Sequence, residues 1–251
     1  MIWTFLVKIS VFMVMVCAFA VSAFAAIDET AVDEQAPDNH LVEVQVVQDN
    51  LAPYTERQED YGFYFRVSSE ELLLKNFISA IDGLEYAELL QDKPTRMALL
   101  NIEYKHNTGI GAFSVGAQAG KGNASDWVSG EERTLNITKF GLGAKFTADR
   151  IATEPYVAPY VGLTAWQLGI EEDSLNESKS EVTGIGYNYT VGLLIQLDWL
   201  DGETAKNTTF NWGLENTFLD IYATQYAQSA GEDDPDTTTD LILGAGICLE
   251  F

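Results

Sequence analysis

The sequence predicts an all-β chain that closes into an eight-stranded antiparallel up-and-down transmembrane β-barrel, on three observations. Eight segments after residue 60 alternate apolar and non-apolar residues with the two-residue period of a strand. The face opposite the apolar one is rich in Gly, Ser, Thr and Asn instead of bulky charge. The breaks between segments alternate long and short, the rhythm of a membrane barrel with long loops at one end and tight turns at the other.

The first element is not part of the barrel. Residues 1–25 carry a cation at Lys8, an apolar run from Ile9 to Ala20, and small residues at Ala23 and Ala25 around Phe24. That is the pattern of a secretory signal, with cleavage expected after Ala25. Cys17 follows Val16, where lipoprotein processing wants Gly or Ala. Its loss with the signal leaves Cys248 alone, so no intramolecular disulfide forms. Beyond Ala25 no apolar run approaches the ~20 residues of a membrane helix. Residues 26–60 hold ten acidic residues against Arg57, with Pro37, Pro53 and one aromatic, Tyr54. This composition is that of an acidic, solvated periplasmic tail.

The barrel is expected over 61–251. Tyr61, Phe63, Phe65 and Val67 share one face of the first strand, opposite Gly62, Tyr64, Arg66 and Ser68. Residues 70–90 read as the end of that strand and a long loop. Leu100, Ile102 and Tyr104 oppose Asn101, Glu103 and Lys105; Phe113, Val115, Ala117 and Ala119 oppose Ser114, Gly116, Gln118 and Gly120. Phe140, Leu142, Ala144 and Phe146 then oppose Lys139, Gly141, Gly143 and Lys145, and Val161, Leu163 and Ala165 oppose Tyr160, Gly162 and Thr164. The longest alternation runs from Ile185 to Trp199. Around Thr217, Leu219 and Ile221 the phase is ambiguous, because Phe218 and Tyr222 sit on the other face. Leu241, Leu243, Ala245, Ile247, Leu249 and Phe251 close the series. Long polar segments are expected at 80–95, 122–132, 171–180 and 228–239, with short turns at 106–109, 149–154 and 201–207.

Which face points inward follows from size. An eight-stranded barrel leaves room inside only for side chains, which suits the small face. The apolar face then lies outside, and only lipid makes that stable; closure also removes every unpaired edge from hydrocarbon. A soluble exported barrel would carry the same alternation inside out, with bulky polar residues facing water. Composition narrows the function further. A formal charge of −24 gives the chain no means of holding a phosphate backbone, so no nucleic acid is expected, while 47% hydrophobic residues exclude a disordered acidic coil.

The terminal run LILGAGICLEF resembles the recognition signal at the end of Gram-negative outer-membrane barrels, with Phe251, Leu249, Ile247 and Gly246 at the matching positions. Gly244 departs from it where a polar residue is usual. The run PYVGLTAW, Pro159 to Trp166, is similar to strands of small OmpA-type and OmpW-type barrels. The resemblance covers 61–251 and implies insertion in the outer membrane by the barrel-assembly machinery. It implies a scaffold and leaves the activity open, since barrels of this kind serve as anchors, adhesins, channels and enzymes.

Enzymes among such barrels are similar in needing a His near the outer rim beside Ser, Asp or Glu. His40 falls in the tail and His106 at a predicted periplasmic turn, so no catalytic base is placed there and no enzyme is expected. Cys248 faces the interior as a small packing residue. No cofactor motif is present. Charge remains: Arg66, Glu103, Lys139, Lys145, Asp198, Asp220, Asp240 and Glu250 are expected in the lumen or at its ends, where an unpaired ion is costly. They form either a paired plug or a narrow polar path for ions and small or hydrophobic solutes; the plug suits eight strands. The outer loops carry acidic clusters at Glu131 and Glu132, at Glu171, Glu172, Asp173 and Glu177, and at Glu232, Asp233, Asp234 and Asp236. These read as a solvated surface, or as oxygen ligands for divalent cations bridging to lipopolysaccharide.

Overall fold

The structure, a computed structural model, describes residues 53–128, 130–200, 202–232 and 234–251. The expected signal segment, most of the acidic tail and His40 lie outside the described residues. Nine strands are described: β1 (Tyr61–Leu72), β2 (Thr95–Thr108), β3 (Gly111–Val128), β4 (Glu131–Thr147), β5 (Val157–Asp173), β6 (Ser178–Val182), β7 (Gly186–Gln196), β8 (Asn216–Tyr226) and β9 (Ile242–Glu250). Neighbours in the chain pair antiparallel, except that β7 pairs with β5 and not with β6; β1 pairs with β9, and the β4–β5 pairing joins the two halves. Eight strands therefore close a ring without a free edge, and β6 pairs only with the outer part of β5. At the β1–β9 seam the last residue joins in: the Phe63 amide donates to the Phe251 carbonyl at 2.7 Å, and the Phe251 amide donates to the Phe63 carbonyl at 2.9 Å.

Parity along each strand assigns side chains to the lumen or the outside. On β4, Arg133, Leu135, Ile137, Lys139, Lys145 and Thr147 are buried inward. The outward set changes character partway: Thr134, Asn136 and Thr138 come first, then Phe140, Leu142, Ala144 and Phe146. Phe140 and Leu142 are 64% and 70% exposed. Neighbouring strands switch at the same level. Outward Gln167, Gly169 and Glu171 of β5 lie beyond Val161, Leu163 and Ala165, and outward Lys121, Asn123 and Ser125 of β3 lie beyond Phe113, Val115, Ala117 and Ala119. The apolar exterior is thus a band around the half of the barrel nearer the termini, and the other half has a polar exterior.

The interior inverts at that level too. Inside the polar-walled half sits an apolar core of Leu72, Met97, Leu99, Leu135, Ile137, Trp166, Leu168 and Ile170. The long β1–β2 connection fills it from above with Leu74, Phe77, Tyr86, Leu89 and Leu90, the last three carried by a short helix, α2 (Tyr86–Leu90). Inside the apolar band the lumen is polar and charged. The ambiguous phase of β8 resolves here: Phe218, Tyr222 and Tyr226 share the lumen face with Asp220.

Glycines of the lumen face serve a purpose that size alone does not predict. Gly186, Gly192 and Gly244 are paired across the strands with Trp166, Tyr160 and Tyr222. Each ring lies over its glycine so closely that a Cβ would occupy the same space. Small and large residues therefore alternate between neighbouring strands, which packs a narrow interior without voids.

Four expected connections and the end of the expected tail differ from the structure. The turn expected at 106–109 is only 109–110, because β2 stays paired with β3 to Thr108. Segment 122–132 is no loop: β3 and β4 continue as a paired hairpin to Val128 and Glu131. Segment 171–180 likewise contains the end of β5 and the start of β6. Polar side chains beyond the apolar band resemble loop in composition, yet their backbone stays in the ladder. The turn expected at 201–207 is part of a helix, α3 (Gly202–Trp212), preceded by a 3-10 turn at Asp198–Leu200. At the end of the expected tail Glu56, Glu59 and Asp60 are exposed, but α1 (Tyr54–Arg57) buries Tyr54 in the terminus-end mouth of the barrel.

A Gly192→Val substitution drives the Tyr160 ring from its seat, and we expect it to cost about 1–3 kcal/mol, the range for overpacking. The measurement is the urea midpoint of the barrel refolded in micelles. An unchanged midpoint contradicts the ring-over-glycine packing.

Candidate functional site

The lumen charges converge in tiers. At the waist, the Arg66 guanidinium of β1 donates to Glu103 of β2 at 3.0 Å and to Asp220 of β8 at 2.9 Å. Lys145 of β4 is ion-paired with the same Glu103 at 2.7 Å, and Ser114 of β3 donates to that carboxylate at 2.7 Å. Tyr160 of β5 donates to Asp220 at 2.8 Å and accepts from Arg66 at 3.1 Å. One network thus ties six strands together across the lumen. Its charges are two cations and two carboxylates, all at least mostly buried, and the aromatic faces of Tyr64 and Tyr160 lie 4.4 and 5.2 Å from the Lys145 ammonium.

Toward the termini, Lys105 pairs with Glu250. Glu250 also accepts from Asn216 at 2.9 Å and from the Tyr54 hydroxyl at 3.0 Å. Asp149 lies at the same 3.0 Å from the Tyr54 hydroxyl, so the two carboxylates share its one proton, and Gln58 donates to both Tyr54 and Asp149. Toward the loops, Lys139 lies 3.8 Å from Glu70, with the Tyr226 hydroxyl between them, and the apolar core sits above. A polar cavity of about 50 Å³ remains at the waist, lined by Asn101, Gln118, Asn188 and Thr190 among others. That is room for a few waters. Arg66, Glu103 and Lys145 of the waist network line it, as do Glu70 and Lys139 of the loop-side pair.

The structure brings six of the eight expected lumen charges, Arg66, Glu103, Lys139, Lys145, Asp220 and Glu250, into these tiers. Asp198 lies beyond them, half-buried on the 3-10 turn, where it accepts from the Thr217 amide at 3.0 Å. Asp240 is a correction. It stands outside the barrel at the loop end, 80% exposed, and is paired at 2.6 Å with exposed Lys75. It precedes β9, so strand parity does not yet govern its direction. Lys105 and Glu70 complete the tiers although neither was among the expected lumen charges. Lys105 shares the parity of Glu103, which is the signal that finds it; Glu70 falls in a Glu-Glu-Leu-Leu-Leu run that hides the continuing alternation.

The acidic loop clusters divide in the same way. Glu172 points inward, buried, and accepts from Arg133 at 2.8 Å and Ser79 at 2.7 Å. Arg133 reaches Asp82 as well at 3.0 Å, tying β4, β5 and the β1–β2 loop together. Asp173 accepts from Asn136 at 3.1 Å. Asp234 accepts from the amides of Gly184 at 2.8 Å and Gly231 at 3.0 Å, pinning the β8–β9 loop to the start of β7. Asp236 accepts from Thr238 and from Asn76 at 2.8 Å. Among the described residues no group of three His, Cys, Asp or Glu side chains is arranged to hold a metal ion. Cys248 is buried in the lumen wall; His106 stacks on Tyr61 with ring centroids 4.9 Å apart.

These features define the class: a closed eight-stranded antiparallel β-barrel with an apolar girdle, an ion-paired lumen and a loop-filled upper end. No protein-family model and no curated protein matches the sequence. Among solved structures the chain is similar to Neisserial surface protein A, with 11% identity and a TM-score of 0.44 over 76% of this chain and 98% of that one. It is also similar to Ail, the attachment invasion locus protein of Yersinia pestis, with 16% identity and a TM-score of 0.39 over 76% of this chain and 97% of that one. At this level of likeness the strand pairing itself, and not the resemblance, defines the fold.

Two outcomes test the site. Glu103→Gln leaves Arg66 and Lys145 with one buried carboxylate fewer, and we expect a loss on the order of 3–5 kcal/mol in urea unfolding, whereas Lys75→Ala at the exposed Asp240 pair changes nothing measurable. Equal effects of the two contradict the waist network. For Asp234, burial raises the carboxyl pKa, but the Ser229 hydroxyl and the Gly184 and Gly231 amides outweigh it and hold it below the ordinary 3.8. Its contribution is therefore full above pH about 3.8 and lost as the pH falls through the lower folded value. Hydrogen exchange of the Gly184 and Gly231 amides, corrected for intrinsic rate, is expected to accelerate below that point and at neutral pH in Asp234→Asn.

Proposed function

We propose that the chain is an outer-membrane barrel of a Gram-negative envelope that acts as a sealed scaffold with a structural or surface-interaction role, its loops outward and its termini in the periplasm. The observation that carries this reading is the waist network of Arg66, Glu103, Lys145 and Asp220, capped by Tyr54 below and by the loop-filled apolar core above. A waist so paired offers an ion no low-cost path, because Arg66 and Lys145 are already matched there by Glu103 and Asp220.

The apolar girdle supports the membrane assignment. Phe65, Ile102, Val115, Leu142, Leu163, Tyr189 and Ile247 all face outward and at least 37% exposed around the ring, and hydrocarbon is the medium in which such a surface is stable while a closed ring leaves no backbone edge unpaired. The end of β9 supports export and assembly. Gly246, Ile247, Leu249 and Phe251 lie on the closing seam, where a terminal recognition signal for the assembly machinery would be read before the seam forms. On this reading the signal is cleaved after Ala25, the girdle contacts outer-membrane lipids and the loop half stands at the level of lipopolysaccharide. The reading includes no catalytic step, since His106 and Cys248 lie in the wall away from the loop end.

Planar-bilayer recordings of the refolded protein test the sealed lumen. The expected result is a membrane without reproducible unit conductance. Unit openings that recur between preparations would overturn the seal and favour the narrow channel for small solutes.

A further inference from the structure

We infer that the loop end carries a groove that takes an extended, cationic segment of a partner protein as an added strand along β6; this deepens the surface-interaction reading and rests on it. The ring strands satisfy their edges in one another, but β6 pairs with β5 alone. All five β6 residues, Ser178 to Val182, are exposed. An unpaired strand edge is a template for another chain.

The direction of the free groups follows from the register. The Thr183 amide donates to the Leu168 carbonyl, so the amides and carbonyls of Glu181 and Lys179, at the same parity, face β5. Those of Ser180 and Val182 then face the other way. On that side lies a groove of about 550 Å³, within the size range of ligand pockets. Its floor is apolar, with Phe77, Ile78 and Ile170, and Ile78 is 60% exposed. Its far wall is the β8–β9 loop at Asp234, Pro235 and Asp236, which Asp234 holds against Gly184. A seated strand would thus find backbone partners on one side, an apolar seat below and carboxylates at the rim.

Charge selects the occupant. Glu181, Asp234 and Asp236 line the groove, Glu171 and Glu177 flank β6, and the one cation in the lining, Lys179, is already paired with Glu177 at 3.0 Å. An anionic surface such as a phosphate headgroup is repelled, and a segment alternating Lys or Arg with apolar residues is complementary: its apolar side chains enter the floor and its cations meet the rim. A single aliphatic ligand would leave the β6 backbone unused.

The test uses the refolded full-length barrel in nanodiscs and an acetylated, amidated Val-Lys octapeptide of alternating sequence as the probe, at physiological salt. Fluorescence anisotropy is expected to show saturable binding, and Ser180→Pro to weaken it at least tenfold, since it removes an outward amide without touching the β5 pairing. A probe with Pro at alternate Val positions is expected not to bind. In the unaltered protein the Ser180 and Val182 amides are expected to gain hydrogen-exchange protection with the probe, which reads the contact without any variant. No binding, binding indifferent to Ser180→Pro, or no gain in protection at those two amides would each overturn the inference. Heat-modifiable gel migration of the same samples separates the two readings: a protein that migrates as a folded barrel yet ignores the probe loses only the groove, whereas one that does not migrate so loses the membrane barrel as well.

Discussion

The constraint on which the structure depends is the alternation of every strand between a lumen eight strands wide and an outside whose medium changes partway along. In the girdle half, the outside is apolar and the inside must absorb the remaining polarity. In the loop half, the outside is polar and the inside becomes an ordinary apolar core. The eight strands therefore carry an apolar exterior over a polar lumen in one half and a polar exterior over an apolar core in the other. The switch falls near Lys139 and Phe140 on β4 and near Trp166 and Gln167 on β5. A one-residue slip in register would reverse both halves at once, which makes the register strongly specified.

Burying charge in the girdle half costs more than it returns unless each ion is paired and hydrogen-bonded. The waist network answers this by distributing its members over β1, β2, β3, β4, β5 and β8, so that the set is complete only when ring closure brings Asp220 of β8 to Arg66 of β1 and Tyr160 of β5. The Lys105–Glu250 pair does the same for β2 and β9 and recruits Tyr54 from the segment before the barrel. These interactions add specificity for one closed arrangement more than they add net stability.

Much of this was legible in the sequence, for physical reasons that particular residues show. Period-two alternation located all eight ring strands because lipid and a narrow lumen both enforce it; residues such as Phe140, Leu142 and Ala144 leave no other face for Lys139 and Lys145. The signal weakened where the exterior became polar. At 122–126 the outward residues are Asn123 and Ser125, so a paired hairpin reads as loop. Glu172 looks like part of a solvated acidic run, and only tertiary structure brings Arg133 and Ser79 to it. Tyr54, one aromatic in an acidic stretch, gives no hint that its ring fills the barrel mouth. The glycines were recognisable as small, but their function as seats for Trp166, Tyr160 and Tyr222 depends on cross-strand register, which one strand read alone does not contain.

The central claim is that the medium outside each strand changes while the fold continues, and a spin-label scan of β4 addresses it most directly. Single labels would be placed at the outward positions Thr134, Asn136, Thr138, Phe140, Leu142, Ala144 and Phe146 of the barrel in lipid bilayers. The account predicts that labels at Phe140 to Phe146 collide with oxygen in preference to a water-soluble nickel chelate, and that labels at Thr134 to Thr138 do the reverse. Preference for the nickel chelate along the whole strand would contradict a membrane girdle; preference for oxygen along the whole strand would contradict the change of medium.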